Sequence, residues 1–410
     1  MKVWIKLLIG SVLGLVLGGV LPSDNQTIAD ALMWFEKLAI NIGRYAVVPI
    51  LVFSLIIAIY ELRQDKIFWR LLFRSCLVMI GVTFVVISSG ILVTLLFPPA
   101  RIPILIEEQV EIFSLGGGEN ISALFPSNMF SALVSDGVYL FPLCVLAFFF
   151  GIGLSYDRSY TKPVIALVDA LSHIFYYIGA FFSEILGVII IALSAYWAFR
   201  YHNMIREDGF RDLILLLGIF SAILGFIIFP LLLCVLGPKT YPWSVVYGSF
   251  GPALAGFFSG DINFTFSVLV RHVKESLGVR RKVNALTLPL FTIFGRAGSA
   301  MVAVMAFIVI IKSYSSLEIT MTDIFAIGIR AFIISFLLAR HPGDAAYTAL
   351  AVLCMNYGRG FEAGYLILKP LAFYLIAVGT FLDVMIASIA TYALAKVNGF
   401  QEDRGAWHFI

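Results

Sequence analysis

The feature that most limits this chain is a succession of apolar runs, each close to or beyond the roughly 20 residues a helix needs to cross a bilayer. They cover about 4–21, 30–62, 72–97, the stretch from Pro126 to Ser155, 166–199 and 211–236. A further apolar region, 241–397, is broken repeatedly by Gly, Pro and charge. Composition points the same way. Hydrophobic residues are 61% and charged residues 13% of the 410, against about 45–50% and about 25% in an ordinary soluble domain. The expectation is an all-α polytopic membrane protein, with the lipid bilayer as its first partner. A disordered chain and a disulfide scaffold are excluded. A formal charge of +3 gives no reason to expect nucleic acid as a partner. Cys76, Cys144, Cys234 and Cys354 lie in apolar runs without a CxxC pair and read as small hydrophobes.

Lys2 and Lys6 precede an apolar run from Leu7 to Leu21. No clear cleavage site follows, so the run reads as a retained first helix rather than a removed signal. The run 30–62 is longer than a bilayer requires, so it tilts or its first turns lie outside the hydrocarbon. Pro98-Pro99 closes the third run, and Glu107, Glu108, Glu111 and Gly116-Gly117-Gly118 form a polar loop. Sixteen basic residues fall on one set of connecting segments, with clusters at Lys2–Lys6, Arg63–Arg74 and Arg271–Lys282, and five on the other. This asymmetry predicts a multi-pass plasma-membrane (cell inner membrane) protein with both termini cytoplasmic.

The last 170 or so residues hold two broken apolar hairpins. The first, 251–279, has Gly256, Ser259, Gly260 and Asp261 at its middle. The second, 326–365, has Arg340-His341-Pro342-Gly343-Asp344 near its middle. An apolar span follows each, 284–311 and 366–397. A hairpin and a helix, twice over, form an internal repeat. Interrupted segments at corresponding positions of two repeats predict a binding site near the bilayer midplane, because irregular backbone at that depth must face protein or a cavity.

Specific segments carry a likeness to a known family. Val47-Val48-Pro49-Ile50-Leu51-Val52-Phe53-Ser54, Phe125-Pro126-Ser127-Asn128-Met129-Phe130, Val273-Lys274-Glu275-Ser276-Leu277-Gly278-Val279, Leu288-Pro289-Leu290 and Pro342-Gly343 come in a telling order and spacing. The chain thereby resembles the dicarboxylate/amino acid:cation symporter family, of glutamate-transporter-like fold. The resemblance implies a homotrimer with eight transmembrane helices, two re-entrant hairpins and an elevator motion. It assigns 1–71 and 126–209 to a scaffold. The mobile part would take 72–125, 210–240, the first hairpin 241–283, the seventh helix 284–312, the second hairpin 322–365 and the eighth helix 366–397. Residues 398–410 would be a cytoplasmic tail.

The chemical positions depart from that family. Its serine-rich first tip reads Phe258-Ser259-Gly260-Asp261-Ile262-Asn263 here. Its Asn-Met-Asp-Gly-Thr motif reads Gly295-Arg296-Ala297-Gly298-Ser299. Its eighth-helix Asp, Arg, Asn and Asp become Ile376, Gly379, Asp383 and Ala387, while Thr380 is kept. The substrate arginine and the acids associated with sodium are missing.

A charge at bilayer centre costs about 2.5 kcal/mol even on a lenient scale, so such residues are paired, solvated or functional. Candidate substrate contacts are therefore Ser259, Asp261, Arg296, Arg340, Asp344, Thr380 and Asp383. Gly295, Arg296, Ser299 and Asp383 are candidates for ion coupling or for a charge pair, with the partner of Arg296 open between Asp261 and Asp383. Asp261 and Asp344 read equally well as helix caps, and His341-Pro342 as a helix terminator. No nucleotide-binding loop, HExxH motif or nucleophile triad is present, so neither an enzyme nor a cofactor is expected. The functional expectation is a secondary transporter of a small carboxylate or amino acid. Its coupling ion would be H+ or a residual Na+, with sodium dependence weakened or absent. The competing expectation is a transport-inactive receptor or assembly protein on the same fold.

Overall fold

The computed structural model describes residues 2–22, 25–102, 122–134, 137–204, 210–236, 242–314, 320–358, 360–402 and 409. The loop expected around Glu107 to Gly118, and the basic residues Arg206, Lys239 and Arg404, lie outside them. Among the described residues the structure is helical, with one antiparallel bridge between Val279 and Gln401. The first half comprises α1 (Val3–Val20), α2 (Gln26–Arg44), α3 (Val47–Gln64), α4 (Phe68–Leu96), α5 (Phe141–Gly153) and α6 (Arg158–Met204). It is followed by α7 (Arg211–Ile223) and α8 (Phe229–Leu236), joined through a π turn. The second half holds α9 (Pro242–Ser259), α10 (Ile262–Glu275), α11 (Arg281–Pro289), α12 (Ala297–Tyr314), α13 (Met321–Ser335), α14 (Ala345–Tyr357) and α15 (Ala372–Val397).

Seven helical stretches are long and apolar enough to cross a membrane among the described residues: Val3–Val20, Gln26–Gln64, Phe68–Leu96, Ser159–His202, Arg211–Cys234, Arg281–Ser313 and Ala372–Val397. Several boundaries differ from the sequence reading: the run expected at 166–199 is a helix over Arg158–Met204, and the span expected at 284–311 is broken between Pro289 and Ala297. The run expected at 30–62 is two helices, hinged at Tyr45-Ala46. The run expected from Pro126 to Ser155 is α-helical only over the 13 residues of α5, about 20 Å of rise. The last helix starts at Ala372 rather than 366, because a 3-10 turn at Gly364–Leu368 precedes it.

Burial sorts the helices. Every residue of α12 from Ala300 to Ile311 is at most 3% exposed. A helix apolar all round belongs inside protein, and α12 packs on α4, α13, α14 and α15. By contrast α4 turns Trp69, Phe73, Leu77 and Phe84 outward, as a lipid-facing helix does. A pair of packed helices occupies each of the two stretches read as hairpins. α9 and α10 turn back on each other at Gly260-Asp261, and α13 and α14 at 336–344, through a short 3-10 turn.

The tail folds back on the bundle. Glu402 N–H donates to Gly278 O at 2.9 Å and Arg280 N–H to Phe400 O at 3.0 Å, which fixes residues 400–402 beside the turn between α10 and α11.

Candidate functional site

The helix that follows the first hairpin is interrupted, and the interruption builds the site. Pro289 ends α11 and a π turn over Leu290–Phe294 follows, closed by Gly295 N–H on Leu290 O at 3.1 Å. A proline removes one rung of the ladder, and a π turn absorbs the mismatch. Gly295 is extended, and α12 begins at Ala297. Arg296 therefore sits between two helix ends, its N–H donating to Ser335 O at 3.3 Å.

Asp383, midway along α15, reaches the buried N-terminus of α12. Its Oδ1 accepts from Gly298 N–H at 2.7 Å and Ser299 N–H at 3.3 Å. Its Oδ2 accepts from Ser299 Oγ at 2.6 Å and from Arg296 Nε at 2.8 Å. Four donors meet a carboxylate whose acceptor sites number about four. The acid thus caps a neighbouring helix, at the end where the helix dipole favours negative charge, while it pairs with a guanidinium. Both side chains are at most 1% exposed. Close approach of α12 to α15 requires small residues. A Cβ on Gly298 would stand 2.5 Å from Leu382 Cβ, and one on Gly379 would stand 3.0 Å from Ser299 Cα.

The hairpin tips form the adjoining part. Asp261 Oδ1 accepts from Phe264 N–H at 2.9 Å, so it caps α10. Its other oxygen pairs with Arg44 at the end of α2. Ser259 Oγ accepts from Asp261 N–H at 3.2 Å. Thr380, one turn before Asp383, donates its hydroxyl to Gly260 O at 2.9 Å. Ile262 N–H donates to Pro342 O at 3.2 Å and joins the two tips directly.

Asp344 stands at the start of α14 but makes no side-chain cap. Its Oδ2 instead lies 3.1 Å from His341 Nδ1 and accepts from Thr348 Oγ1 at 3.0 Å. Arg340 is exposed at the second tip, with its guanidinium 5.3 Å from the centre of the Tyr139 ring.

The candidate residues therefore fall into three groups. Gly295, Arg296, Ser299 and Asp383 form one buried cluster. Ser259, Asp261 and Thr380 meet at the first tip, next to the Pro342-Gly343 backbone. Asp344 and Arg340 occupy the second tip. Arg296 pairs with Asp383 and not with Asp261, whose partner is Arg44.

Arg44 was absent from the candidates, although a cation inside the apolar run 30–62 was its signal. Also unforeseen is a set of ion pairs between the first hairpin with α11 and the N-terminal helices. Arg271 meets Glu184 at 2.8 Å, Arg281 meets Glu61 at 2.9 Å and Asp169 at 2.7 Å, and Lys282 pairs with Asp65. Glu61, Asp65 and Asp169 stand near the ends of apolar runs and Glu184 in the middle of one, and sequence alone assigns a partner to none of them.

A sequence profile of the sodium:dicarboxylate symporter family matches residues 3–397. The proton/sodium-glutamate symport protein of Bacillus subtilis (strain 168) is 22% identical to this chain over 365 residues, spanning 85% of this chain and 82% of that protein.

Proposed function

The chain belongs to the sodium:dicarboxylate symporter family, a family of transporters and not of enzymes, and on that premise we propose a secondary transporter for a small carboxylate or amino acid with sodium coupling weakened or absent. The relative named as a proton/sodium-glutamate symport protein supports an acidic solute. One observation carries the coupling argument, the Arg296–Asp383 pair inside the broken helix. A sodium ion needs a compact cage of oxygens. Here a guanidinium is covalently fixed beside the break, and the acid that faces it already accepts four hydrogen bonds. A tethered cation cannot leave during a cycle, and it repels a second cation strongly where the effective dielectric is low. A proton is the coupling ion left to such a site.

Arg340 is the carboxylate contact in this reading. It is exposed at the second tip, and a guanidinium binds a carboxylate through a planar two-pronged fork. Arg296 has its Nε on Asp383 and its Nη2 3.4 Å from Ser299 Oγ. The motion is a slide of the hairpins, α4, α7, α8, α11, α12 and α15 as one body past α1–α3, α5 and α6, in a homotrimer with both termini cytoplasmic. The ion pairs from Arg271, Arg281 and Lys282 to acids of the other body would have to break or exchange in such a slide.

The test is uptake into vesicles of the purified full chain, with glutamate, aspartate, succinate and a neutral amino acid offered under imposed sodium or proton gradients. Saturable uptake of an acidic solute, unchanged when choline replaces sodium at fixed ionic strength, is expected. Strong saturable stimulation by sodium overturns the coupling proposal. Silence under every gradient, with no thermal stabilisation by any solute, selects the receptor or assembly role instead.

A further inference from the structure

A groove of about 540 Å³ runs between α4, α8 and α15, remote from the hairpin tips. Its walls include Leu77, Gly81 and Val85 of α4, Leu233 of α8, and Ile389 and Ala393 of α15. The α4 residues recur every three or four positions, so they form one stripe of that helix. Arg74 is the one charged residue of the lining, at the end where α4 begins and α15 finishes. From Arg74 to Val86 the stripe rises about 18 Å at 1.5 Å per residue. That is close to one leaflet of a hydrocarbon core about 30 Å thick. Trp69 and Phe73 are exposed beside Arg74, and tryptophan marks the headgroup level of a bilayer.

Among the described residues, no acid meets the charge at this end. Arg70 and Arg74 are exposed one turn apart and form no ion pair with an acid among the described residues. Asp65 and Glu61, the acids just before α4, are committed to Lys282 and Arg281. Arg74 makes one neutral contact, Nη1 to Asn398 Oδ1 at 2.7 Å, out of five donors on a guanidinium. Gly81 leaves the floor open, since a Cβ there would meet nothing within 4 Å.

The geometry points to a binding site for one anionic phospholipid, with an acyl chain in the groove and the phosphate on Arg74 and Arg70. An apolar channel one leaflet deep with a cationic end matches the two halves of such a lipid. Basic pockets between membrane helices recognise anionic headgroups in this way. The site stands on the membrane-spanning architecture and the groove alone, so it holds or fails whatever solute the chain carries.

The experiment is native mass spectrometry of the full chain released from detergent after equilibration with phosphatidylglycerol or phosphatidylcholine of equal chain length. The unmodified protein keeps phosphatidylglycerol preferentially. Arg74→Gln lowers that preference about fivefold, the scale set by one basic group at a membrane surface. Gly81→Phe fills the groove and lowers retention of both lipids. Asn398→Ala, which frees the Arg74 guanidinium from its neutral contact, keeps the preference. Equal retention of the two lipids by the unmodified protein overturns the proposal, as does unchanged retention in Arg74→Gln and Gly81→Phe. A change of oligomeric state in Gly81→Phe with lipid retention intact overturns it too, and assigns the groove to a second copy of the chain.

Discussion

Arg296 Nε donates to Asp383 Oδ2 at 2.8 Å between two helices whose sequences stand 87 residues apart. The pair is buried on both sides. Removing one partner of a buried pair strands a charge and costs about 3–5 kcal/mol, whereas replacing both by apolar groups costs far less. Arg296→Met is therefore expected to unfold much more readily in detergent than the unmodified chain. The double variant Arg296→Met/Asp383→Leu recovers most of that loss. Additive losses in thermal or denaturant unfolding would show that the two side chains do not act as a unit.

The same variant separates two causes of weakened sodium coupling. If the tethered guanidinium alone excludes the ion, uptake by Arg296→Met gains saturable sodium stimulation. If the family's missing acids, at Ala297 and Ala387, suffice, choline and sodium remain equivalent. Uptake measured in reconstituted vesicles at fixed ionic strength decides between them, and the expected result is stimulation in the Met variant.

Asp261 does two jobs that substitutions can divide. Asn keeps a capping oxygen for Phe264 N–H and loses the charge that meets Arg44; Ala loses both. The cap is worth about 1 kcal/mol, so Asp261→Ala is expected to be less stable than Asp261→Asn by roughly that amount. Arg44→Gln and Asp261→Asn both release the first hairpin from α2. The readout is a cysteine at Ser267, buried on α10 beside Gly179 of α6. It should react faster with a thiol reagent in either variant than in an otherwise unmodified Ser267→Cys chain.

Gly298 is a point of close approach between α12 and α15. Its Cβ in Gly298→Ala would lie 2.5 Å from Leu382 Cβ and 2.8 Å from Gly379 O. Overpacking of this kind costs about 1–3 kcal/mol and pushes Asp383 away from the N-terminus of α12. A lower unfolding midpoint is expected, together with reduced uptake. An unchanged midpoint would mean that the two helices part without loss.

Sidedness is checked at the two ends of α4. Lys66 and Arg101 are exposed and flank its 29 residues, about 43 Å of rise. Cysteines at the two positions should label from opposite faces of sealed vesicles, Lys66→Cys from the cytoplasmic one. Labelling of both from one face would refute a crossing by α4.

Much of this architecture was legible because apolar length and its interruptions are written locally. The turn at Gly260-Asp261 is visible as glycine and charge inside an apolar run, whereas the break at Gly295-Arg296 lies inside a span read as 284–311, on the segment the family resemblance aligns with its Asn-Met-Asp-Gly-Thr motif. The partners of those charges are not local. Asp261 was read as a cap and is one, yet its second oxygen belongs to Arg44, 217 residues earlier. Asp344 was also read as a cap, but it turns toward His341 and Thr348, because the backbone before α14 holds it outside capping geometry. The break at Tyr45-Ala46 lies between Gly43 and Pro49, and the proline's missing N–H removes the rung to Tyr45 O, a signal that reading 30–62 as one run passed over. What the sequence does not show is the partner: the bare face of Gly43 is where the Phe264 ring of α10 packs.

The separation of Arg296 from Asp383 also has a consequence during synthesis. Ribosomes add about 5–20 residues each second, so the guanidinium emerges about 4–17 s before its acid. Through that interval α12 offers the bilayer an apolar segment headed by an unpaired cation, whose insertion costs about 2.5–3.5 kcal/mol at the membrane centre. A nascent chain halted before residue 383 should leave this helix loosely integrated and open to extraction or proteolysis. The arrival of α15 then fastens it, so a helix made well after α12 completes the centre of the molecule.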